Sequence, residues 1–418
     1  MAAASGHKPR GCSTICLPIG KDLYQSVIDS PAAFRRTLDR YYRDLPELFP
    51  KAFAHGYTLK DHRVSAKRGL RLRRIRCKAT GQVFTVRPSF VLPSMTAWTD
   101  DVQVPLFLRR FGVPYWALAW AFGNDPMYWY RLEVGLGRNS VAGTTARRAR
   151  LPRHLLADEH HQPRDGVKNY LATTVAAGCC LGAALAQTAG ADDLQAAYGV
   201  FREEARDAEP GYQPQTVSTD GWAATQQAWR ALFKAVVLLR CFLHGWLAIR
   251  SRGKLSGLFG TLSEKVWHAY HAADRRGFGQ RLRRLWEWAQ GNVKAAWVLE
   301  QVQKRCGRSR EYGLAYRHPG GHRTSNMLDR VMRAMNRYYD NGQHLHGSVE
   351  AGERRARAWA LLYNFGPWGP EAARDNGPWR SPAERLNQHR YHEDWLQNLL
   401  VSASLGGYRR GEDPPHNP

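Results

Sequence analysis

The chain contains 418 residues, of which 43% are hydrophobic and 11% aromatic. This composition excludes a disordered or fibrous protein and suffices for two or three folded domains of roughly 100–200 residues each. The 61 lysine and arginine residues outnumber the 36 aspartate and glutamate residues, so the net charge is +25. Because a basic surface that neutralises phosphates releases counterions, this charge favours nucleic acid as a partner.

Several features argue against a membrane or secreted protein. The longest apolar stretch, residues 168–187, is interrupted by Gly178 and Gly182, so no run of 18 apolar residues is present. The first residues lack the pattern of a secretory signal, and the seven cysteines are odd in number and scattered. The positive charge is not gathered on one amphipathic helix but spread over residues 63–76, 147–153, 275–284 and 304–310. We therefore expect a cytoplasmic, nucleoid-associated protein without a membrane partner.

Residues 1–100 form a basic amino-terminal region. Apolar and polar residues alternate over 71–77 and 83–91, on either side of Thr80-Gly81, which predicts a β-hairpin. A zinc site is one interpretation of the region, but no second cysteine pair completes the ligand set. The alternative is unliganded thiols, and the sequence leaves open whether these residues bind zinc: Cys12, Cys16, His55, His62 and Cys77.

Residues 104–150 predict a helix-turn-helix-like DNA-binding segment followed by a linker. Three short helical stretches between 104 and 137 are separated by Gly112-Val113-Pro114 and by residues 123–126, and each proline stands where a helix can begin. The aromatic side chains of this segment are expected to form a small core rather than to contact bases: Tyr115, Trp116, Trp120, Phe122 and Trp129. Residues 137–153 are polar, basic and contain glycine, as linkers do.

Residues 153–252 have a different pattern, which predicts an α/β domain. Short apolar stretches at 154–160, 168–175 and 179–186 predict three strands, and residues 191–208 have helical spacing. A strand at 214–219, a helix at 222–232 and a strand at 234–239 follow. This order of elements is that of a ribonuclease-H-like fold. Residues 253–320 are interpreted as a helical insertion, residues 321–345 as the last catalytic helix, and residues 346–418 as a carboxy-terminal helical region.

The predicted strands deliver carboxylates to positions where a metal can bind. Asp158 stands near the end of the first strand, and Asp220 follows the fourth. Mg²⁺ prefers hard oxygen ligands, and two such ions can activate the attacking oxygen and stabilise the leaving oxygen in phosphodiester chemistry. Glu159, the neighbour of Asp158, points to the opposite face of the sheet by strand alternation, so we do not expect it to be a ligand.

These residues resemble the DDE transposases of the Mutator-like group, which include bacterial insertion-sequence enzymes. The resemblance covers residues 153–345. Three features carry it: LLADEHH with Asp158, VSTDGWAATQQAW with Asp220 followed by RCFLH, and TSNMLDRVMR with Asp329. The two aspartate spacings are 62 and 109 residues, and the second gap holds the insertion.

The resemblance implies a catalytic and metal-binding triad of Asp158, Asp220 and Asp329. Two Mg²⁺ ions, for which Mn²⁺ can substitute, would then support cleavage and strand transfer at the ends of a mobile element. The family has glutamate where this chain has Asp329, so Glu300 and Glu311 stay open as substitutes for the third ligand. Cys241 and His244 match the family's Cys-x-x-His motif, which implies a structural or DNA-positioning role near the site.

The resemblance also implies double-stranded DNA as partner, at transposon ends and target, bound by a homodimer or higher oligomer. Tryptophans of the insertion are candidates for stacking on an unpaired base, with core packing as the alternative. Arginines of the same segment are candidates for phosphate contacts. The DNA-binding candidates are Arg281, Arg283, Arg284, Trp286, Trp288 and Trp297, to which the stacking interpretation adds Trp267.

Two other functions stay open. A ribonuclease-H-like nuclease that cuts without joining would need the same triad but neither the Cys-x-x-His motif nor a large insertion. A domesticated DNA-binding protein with an idle catalytic site is the second alternative, and the aspartate at position 329 leaves it open.

Overall fold

A computed structural model of the chain describes residues 13–253, 257–342 and 345–409. These residues form a mixed α/β structure with two sheets, one of four strands and one of five. The prediction of an α/β protein is therefore confirmed. Among the described residues, no helix is both long enough and apolar enough to cross a membrane.

The amino-terminal region is built on the four-stranded sheet. Its elements are β1 (Thr14–Leu17), α1 (Lys21–Ile28), α2 (Pro31–Asp44), β2 (Tyr57–Ser65), β3 (Leu70–Cys77), β4 (Val83–Pro88), α3 (Thr99–Arg109), α4 (Tyr115–Phe122), α5 (Pro126–Leu136) and α6 (Val141–Thr145). The strand order is β1-β4-β3-β2, with β1 parallel to β4 and the other neighbours antiparallel.

The predicted hairpin is confirmed, because Ile75 of β3 pairs with Phe84 of β4. The amino-terminal region nevertheless contains more sheet than we predicted, since β1 and β2 were not foreseen. β1 has only four residues, and its partner strand is remote in sequence, with Ile15 opposite Val86. β2 is mostly exposed or half-buried and lacks an alternating apolar pattern. Neither strand therefore leaves a local signal.

The three helices predicted between residues 104 and 137 are present as α3, α4 and α5, although α3 begins earlier, at Thr99. Proline marks the start of two of them: Pro114 precedes α4, and Pro126 is the first residue of α5. The segment interpreted as a linker is packed instead. All five residues of α6 are buried, and Glu204 accepts hydrogen bonds from the backbone N–H groups of Val141 and Ala142.

The five-stranded sheet forms the centre of the molecule. Its strands and the helices between them are β5 (His154–Arg164), β6 (Val167–Ala176), β7 (Cys179–Ala186), α7 (Ala191–Ala208), β8 (Thr216–Thr219), α8 (Ala223–Leu232) and β9 (Val237–Arg240). The predicted order of strands and helices is confirmed. The sheet order is β7-β6-β5-β8-β9, in which β5, β6 and β7 are antiparallel while β8 runs parallel to both β5 and β9.

The remaining elements are helical, as predicted for residues 253–320 and for the carboxy-terminal region. They are α9 (Phe242–Gly253), α10 (Phe259–Tyr270), α11 (Arg275–Asn292), α12 (Ala296–Gly307), α13 (Ser309–Gly313), α14 (Asn326–Asn341), α15 (Val349–Phe365), α16 (Pro370–Arg374), α17 (Pro382–Asn387) and α18 (Trp395–Ser402). The segment 381–399 contains two helices, α17 and the first part of α18. Gln388, with a φ of +48°, ends α17, and Asp394 caps α18 by accepting a hydrogen bond from the Gln397 N–H.

Each face of the five-stranded sheet has its own hydrophobic core. On one face, Leu155 and Ala157 of β5 pack with Tyr198 of α7 and Trp229 of α8. On the other, strand residues pack against α14 and α15, among them Leu156, Leu171, Leu328, Met335 and Trp359. Helices α9 to α13 share a third core that contains Phe242, Trp246 and Leu282.

The first and last described segments of the chain pack together. Ile15 of β1 and Val86 of β4 belong to the same core as Leu396 and Leu399 of α18. The Cys16 N–H donates to Ser404 Oγ at 3.0 Å, and Ser89 Oγ donates to Gln397 Oε1 at 2.8 Å. The carboxy-terminal region of the chain thus contributes to the core that packs against the amino-terminal sheet.

Candidate active site

Two carboxylates lie at the same level of two adjacent parallel strands. Leu156 of β5 is in register with Ser218 of β8, and Asp158 and Asp220 each follow two residues later. Because neighbouring strands are about 4.8 Å apart, this register brings the two aspartates side by side. Asp158 shares the sheet face of Leu156, which is the face covered by α14. The predicted strand order implied this juxtaposition, but the predicted position of Asp158 near a strand end is wrong. β5 continues in register with β6 to Arg164, six residues beyond Asp158.

Backbone amides hold both aspartates from their own segments. Asp158 Oδ1 accepts from the N–H of Glu159 at 2.9 Å, and Asp220 Oδ1 accepts from the N–H of Trp222 at 2.7 Å. Within the described part of the chain, neither carboxylate forms an ion pair with a lysine or an arginine. Both are half-buried, so water compensates their charges incompletely.

The pKa of Asp158 reflects this environment. Burial raises it from the ordinary value of 3.8 to about 6, and the charge of Asp220 contributes in the same direction. Asp329 also raises this pKa, whereas His244 lowers it. A carboxyl group that resists ionisation because of burial and neighbouring negative charge is a marker of a functional site.

Asp329 approaches the pair from the first turn of α14. Its Oδ2 accepts a hydrogen bond from Ser325 Oγ at 3.0 Å, and its backbone N–H donates to the Ser325 carbonyl at 2.8 Å. Leu328, Val331 and Met335 attach the helix to the sheet by packing against apolar residues of β5 and β6. The effect of Asp329 on the pKa of Asp158 shows that the third predicted acid lies within electrostatic reach of the first.

The two substitutes considered for Asp329 are engaged elsewhere. Glu311 Oε2 lies 2.9 Å from Arg240, and Glu300 Oε1 lies 2.5 Å from Lys304 on its own helix. Their side chains are 51% and 52% exposed, respectively. Asp329, in contrast, contributes to the raised pKa of Asp158.

The donor set suits a hard divalent cation, although no complete cage is formed. In the described ranges, no group of three histidine, cysteine, aspartate or glutamate side chains is close enough to hold a metal ion. Mg²⁺ usually binds through one or two carboxylates and completes its shell with water and substrate phosphates. Asp158 and Asp220 provide that number of oxygen ligands, and their mutual repulsion is of the kind that a divalent cation relieves.

Cys241 and His244 lie next to this pair of aspartates. Cys241 directly follows β9, and its backbone N–H donates to the Thr219 carbonyl at 2.8 Å, one residue before Asp220. Burial raises the pKa of the Cys241 thiol, but His244 and Ser325 lower it by more. The interaction with Cys241 and the charges of Asp158 and Asp220 raise the pKa of His244 to about 9, against the effect of burial. His244 is therefore a cation at pH 7 that offsets part of the carboxylate repulsion.

Glu159 points away from the site, as strand alternation predicted. It is 8% exposed and accepts hydrogen bonds from Tyr198 Oη and Thr225 Oγ1, both at 2.7 Å. These donors belong to the helices on the opposite face of the sheet. Burial raises the pKa of Glu159 to about 7.

Two residues that position α14 were not predicted from the sequence. His160, on the same side of β5 as Asp158, hydrogen-bonds with Asn336 of α14 and with Gln162 Nε2, the latter at 2.9 Å. Ser325, 2% exposed, joins the Asp329 carboxylate to the region of Cys241. A signal for His160 was present, since a residue two positions beyond Asp158 must share its face. Ser325 had no such signal, because its role depends on where α14 begins.

The predicted zinc ligands of the amino-terminal region do not come together in the described ranges, and Cys12 lies outside them. Cys16 and Cys77 are fully buried on β1 and β3, which are separated in the sheet by β4. Burial raises the pKa of Cys16, so its thiol is a poorer ligand than an exposed cysteine.

The DNA-binding candidates of the insertion differ in their exposure. Arg283 and Arg284 of α11 are exposed, and Trp297 of α12 is 56% exposed. Arg281 donates to the His268 carbonyl at 2.7 Å. The three other tryptophans, Trp267, Trp286 and Trp288, are partly buried against the core of the insertion.

The helix-turn-helix-like segment differs from its prediction in one respect. Trp129 is 1% exposed, as expected of a core residue, but Trp116 and Trp120 of α4 are 68% and 86% exposed. The expectation that all these aromatics form a core is therefore wrong. α4 is apolar on all sides, so its sequence does not indicate which face is buried.

Comparison with known proteins assigns the chain to no family. No model of a known protein family matches the chain. No curated protein matches it either. The function is therefore inferred from the residues and geometry of the site.

Proposed function

We propose that the chain is a DDE-type DNA transposase with a ribonuclease-H-like catalytic domain. The observation that carries the proposal is the pairing of Asp158 and Asp220 on adjacent parallel strands, with Asp329 within electrostatic reach. The strand order β7-β6-β5-β8-β9, with its antiparallel half and its parallel half, supports the fold assignment. The helical segment between β9 and α14 supports the comparison with transposases that carry an insertion.

The chemistry follows from the residues of the site. Asp158 and Asp220 would hold divalent cations, with Asp329 as the third ligand. When bound, Mg²⁺ or Mn²⁺ supplies activation of an attacking oxygen and stabilisation of a leaving oxygen. His244 restrains the repulsion between the two aspartates, and His160 and Ser325 hold α14 and Asp329 in place. Arg283, Arg284 and Trp297 present charge and an aromatic surface to DNA from the insertion.

The test uses double-stranded DNA that carries the sequences flanking the gene of this chain, incubated with purified protein and Mg²⁺. We expect cleavage and strand transfer. The variants Asp158→Asn and Asp220→Asn should each reduce both activities by roughly 10³-fold or more, because an amide cannot supply the charge that holds the cations, and metal catalysis contributes several kcal/mol. The matched control is Asp165→Asn, in the turn after β5, where the side chain is 53% exposed.

A second pair of variants tests the third ligand. Asp329→Ala should be as inactive as Asp158→Asn, whereas Asp329→Glu should retain activity because it keeps a hard oxygen donor at the same position. Asp340→Asn, exposed at the other end of α14, is the control.

The outcomes separate the three functions. Full activity of Asp220→Asn, or cleavage that persists in excess chelator, would overturn the mechanism. Cleavage without strand transfer by the unaltered protein would identify the nuclease. DNA binding without any cleavage would identify a protein with an idle site.

A further inference from the structure

A groove that none of the three aspartates lines contains four cationic side chains among its described lining residues. It has a volume of about 600 Å³ and lies where residues 42–54, the segment after α6 and the end of the described chain meet. Lys51, Arg147, Arg148 and Arg409 line it, and among the described residues that line it Glu47 is the one with an acidic side chain. We call this feature the arginine groove.

Arg147 is the most informative of these residues, because it is only 1% exposed. Its guanidinium donates to the carbonyl of Tyr408 at 3.4 Å and to the carbonyl of Glu47. The Nε atom has no partner among the described residues, and no carboxylate of the described chain forms an ion pair with Arg147. A buried charge without a counter-ion is costly.

The surrounding groups do not supply that counter-ion. Arg409 uses its guanidinium to bind the carbonyls of Ala146 and Arg147 at 2.9 and 2.7 Å, and its own Nε is buried without a partner in the described chain. Glu47 Oε1 accepts from Tyr391 Oη at 2.9 Å, and Asp207 Oδ2 accepts from the Arg409 backbone N–H at 2.7 Å.

The pKa of Arg147 agrees with an excess of positive charge. Burial lowers this pKa most, Arg409 lowers it as well, and Tyr391, Glu47 and Asp207 compensate only partly, so that it lies at about 10. The exposed side chains of Lys51 and Arg148 extend the basic surface from the interior to the solvent. The groove is therefore both positively charged and accessible to a large ligand.

We propose that the arginine groove binds a phosphate group of a DNA backbone. Guanidinium groups recognise phosphate through charge-assisted hydrogen bonds, which the exposed Arg148 can form with Lys51 beside it. The phosphate would also supply negative charge near the buried Arg147, whose terminal nitrogens already bond to carbonyls. The choice of DNA as the source of the phosphate rests on the proposed function. The net charge of +25 favours such a polymer independently. The groove would be a further contact that positions DNA on the protein.

The experiment measures the affinity of the full chain for a fluorescent DNA duplex of about 20 base pairs, long enough to span several phosphates. The measurement covers a salt series and is made in EDTA so that no cleavage interferes. The test variant is Arg148→Gln combined with Lys51→Gln, because both side chains are exposed and their loss does not disturb the core. The control is Arg230→Gln combined with Lys234→Gln, two exposed cations near the end of α8 that do not line the groove.

We expect the groove variant to bind the duplex roughly tenfold more weakly at about 0.15 M salt. The slope of log affinity against log salt should also become shallower by about 0.9 for each phosphate that the variant no longer neutralises. The control variant should change neither quantity by a comparable amount. Equal weakening of both variants would overturn the proposal, because it would indicate diffuse attraction without a site.

A second arm distinguishes DNA from a free anion. Thermal unfolding is compared in inorganic phosphate and in chloride at equal ionic strength, for the unaltered chain and the groove variant. Stabilisation by phosphate that requires the groove, with unchanged DNA binding by the variant, would make the ligand a free phosphate and overturn the proposal. Loss of cleavage in the aspartate variants is a separate measurement, so the groove and the catalytic site can fail independently.

Discussion

Two acidic clusters of this chain differ in how the charge of their carboxylates is compensated. Glu133 of α5 is fully buried and surrounded by donors: Arg109 Nε at 2.5 Å, Tyr115 Oη at 2.9 Å and Tyr338 Oη. Arg355 extends the network by donating to Tyr338 Oη at 3.0 Å. At Asp158 and Asp220, by contrast, the described residues include no arginine or lysine ion pair, and burial together with the charge of Asp220 raises the pKa of Asp158.

This difference in charge compensation distinguishes a structural acid, Glu133, from the acids proposed to be functional, Asp158 and Asp220. A buried carboxylate whose hydrogen bonds are all formed connects the helices that supply its donors. Glu133 in this way connects α3 and α5 to α14, the helix that carries Asp329. An unsatisfied group of carboxylates costs stability and persists where a ligand completes it. The comparison predicts opposite effects of neutralising the two kinds of acid.

The largest effect on stability is expected at Glu133. Glu133→Gln removes the charge that compensates the buried Arg109, and breaking such a pair costs about 3–5 kcal/mol in the free energy of unfolding. Denaturation by urea measures this quantity. The control is Glu203→Gln, whose carboxylate is 69% exposed and paired with Arg202, and whose loss should cost less than about 1 kcal/mol. A loss below about 1 kcal/mol at Glu133 as well would contradict the distinction.

Neutralising Asp158 should change the free energy of unfolding in the opposite direction and stabilise the protein. The folded-state pKa of Asp158 is about 6, above its ordinary value of 3.8, so the folded protein binds the proton more tightly than the unfolded chain. The ionised group therefore destabilises the fold at pH 7, and this penalty disappears as the pH falls from about 6 to below about 4.

Asp158→Asn should accordingly raise the free energy of unfolding at pH 7 by up to about 2–3 kcal/mol, since one pKa unit corresponds to about 1.36 kcal/mol. The measurement is denaturation in EDTA at pH 7 and at pH 4, where the difference between variant and unaltered protein should fall to about 0.5 kcal/mol. Asp165→Asn is the control. A variant less stable than the unaltered protein at pH 7 would show that Asp158 is a structural acid like Glu133.

Divalent cations should offset the destabilisation by the ionised Asp158 without a mutation. Mg²⁺ at about ten times its dissociation constant should stabilise the unaltered chain by about 1.4 kcal/mol, because it binds the folded state only. Thermal unfolding with and without Mg²⁺ tests this independently of catalysis. The same addition should not stabilise Asp158→Asn or Asp220→Asn, and equal stabilisation of all three proteins would place the cation elsewhere.

The smallest effects are expected at the exposed acids of the insertion. Glu300→Ala and Glu311→Ala each remove a carboxylate that is about half exposed and ion-paired, and such a pair contributes about 0–1 kcal/mol. Both variants should retain cleavage. Loss of cleavage in either, with activity retained by Asp329→Ala, would move the third ligand to that glutamate.

Local patterns in the sequence were sufficient for much of the fold. The strands of the central sheet and α7 were predicted because apolar runs or helical spacing extend through each of them. The hairpin of β3 and β4 was predicted from its turn residues. The parallel pairing of β1 with β4 was not, because a four-residue strand leaves no periodic signal and its partner is far along the chain.

The candidate site shows the same division. Its two strand aspartates and the orientation of Glu159 follow from strand order and alternation. The roles of His160 and Ser325 depend on how α14 sits on β5, and the exposure of Trp116 and Trp120 depends on which side of α4 packs. An apolar helix has no polar face from which its orientation can be read.

The sequence by itself determined the elements of the central sheet, the placement of Asp158 and Asp220 on neighbouring strands, and a charge that favours a polyanion. Periodicity and composition encode such properties, because they depend on residues close together in the chain. Only the tertiary structure decided which acids are compensated. The partners of Glu133 lie on α3, α4 and α14, and the cations of the arginine groove come from segments far apart in the chain. Charge compensation depends on distances in space between residues remote in sequence, and folding alone sets those distances.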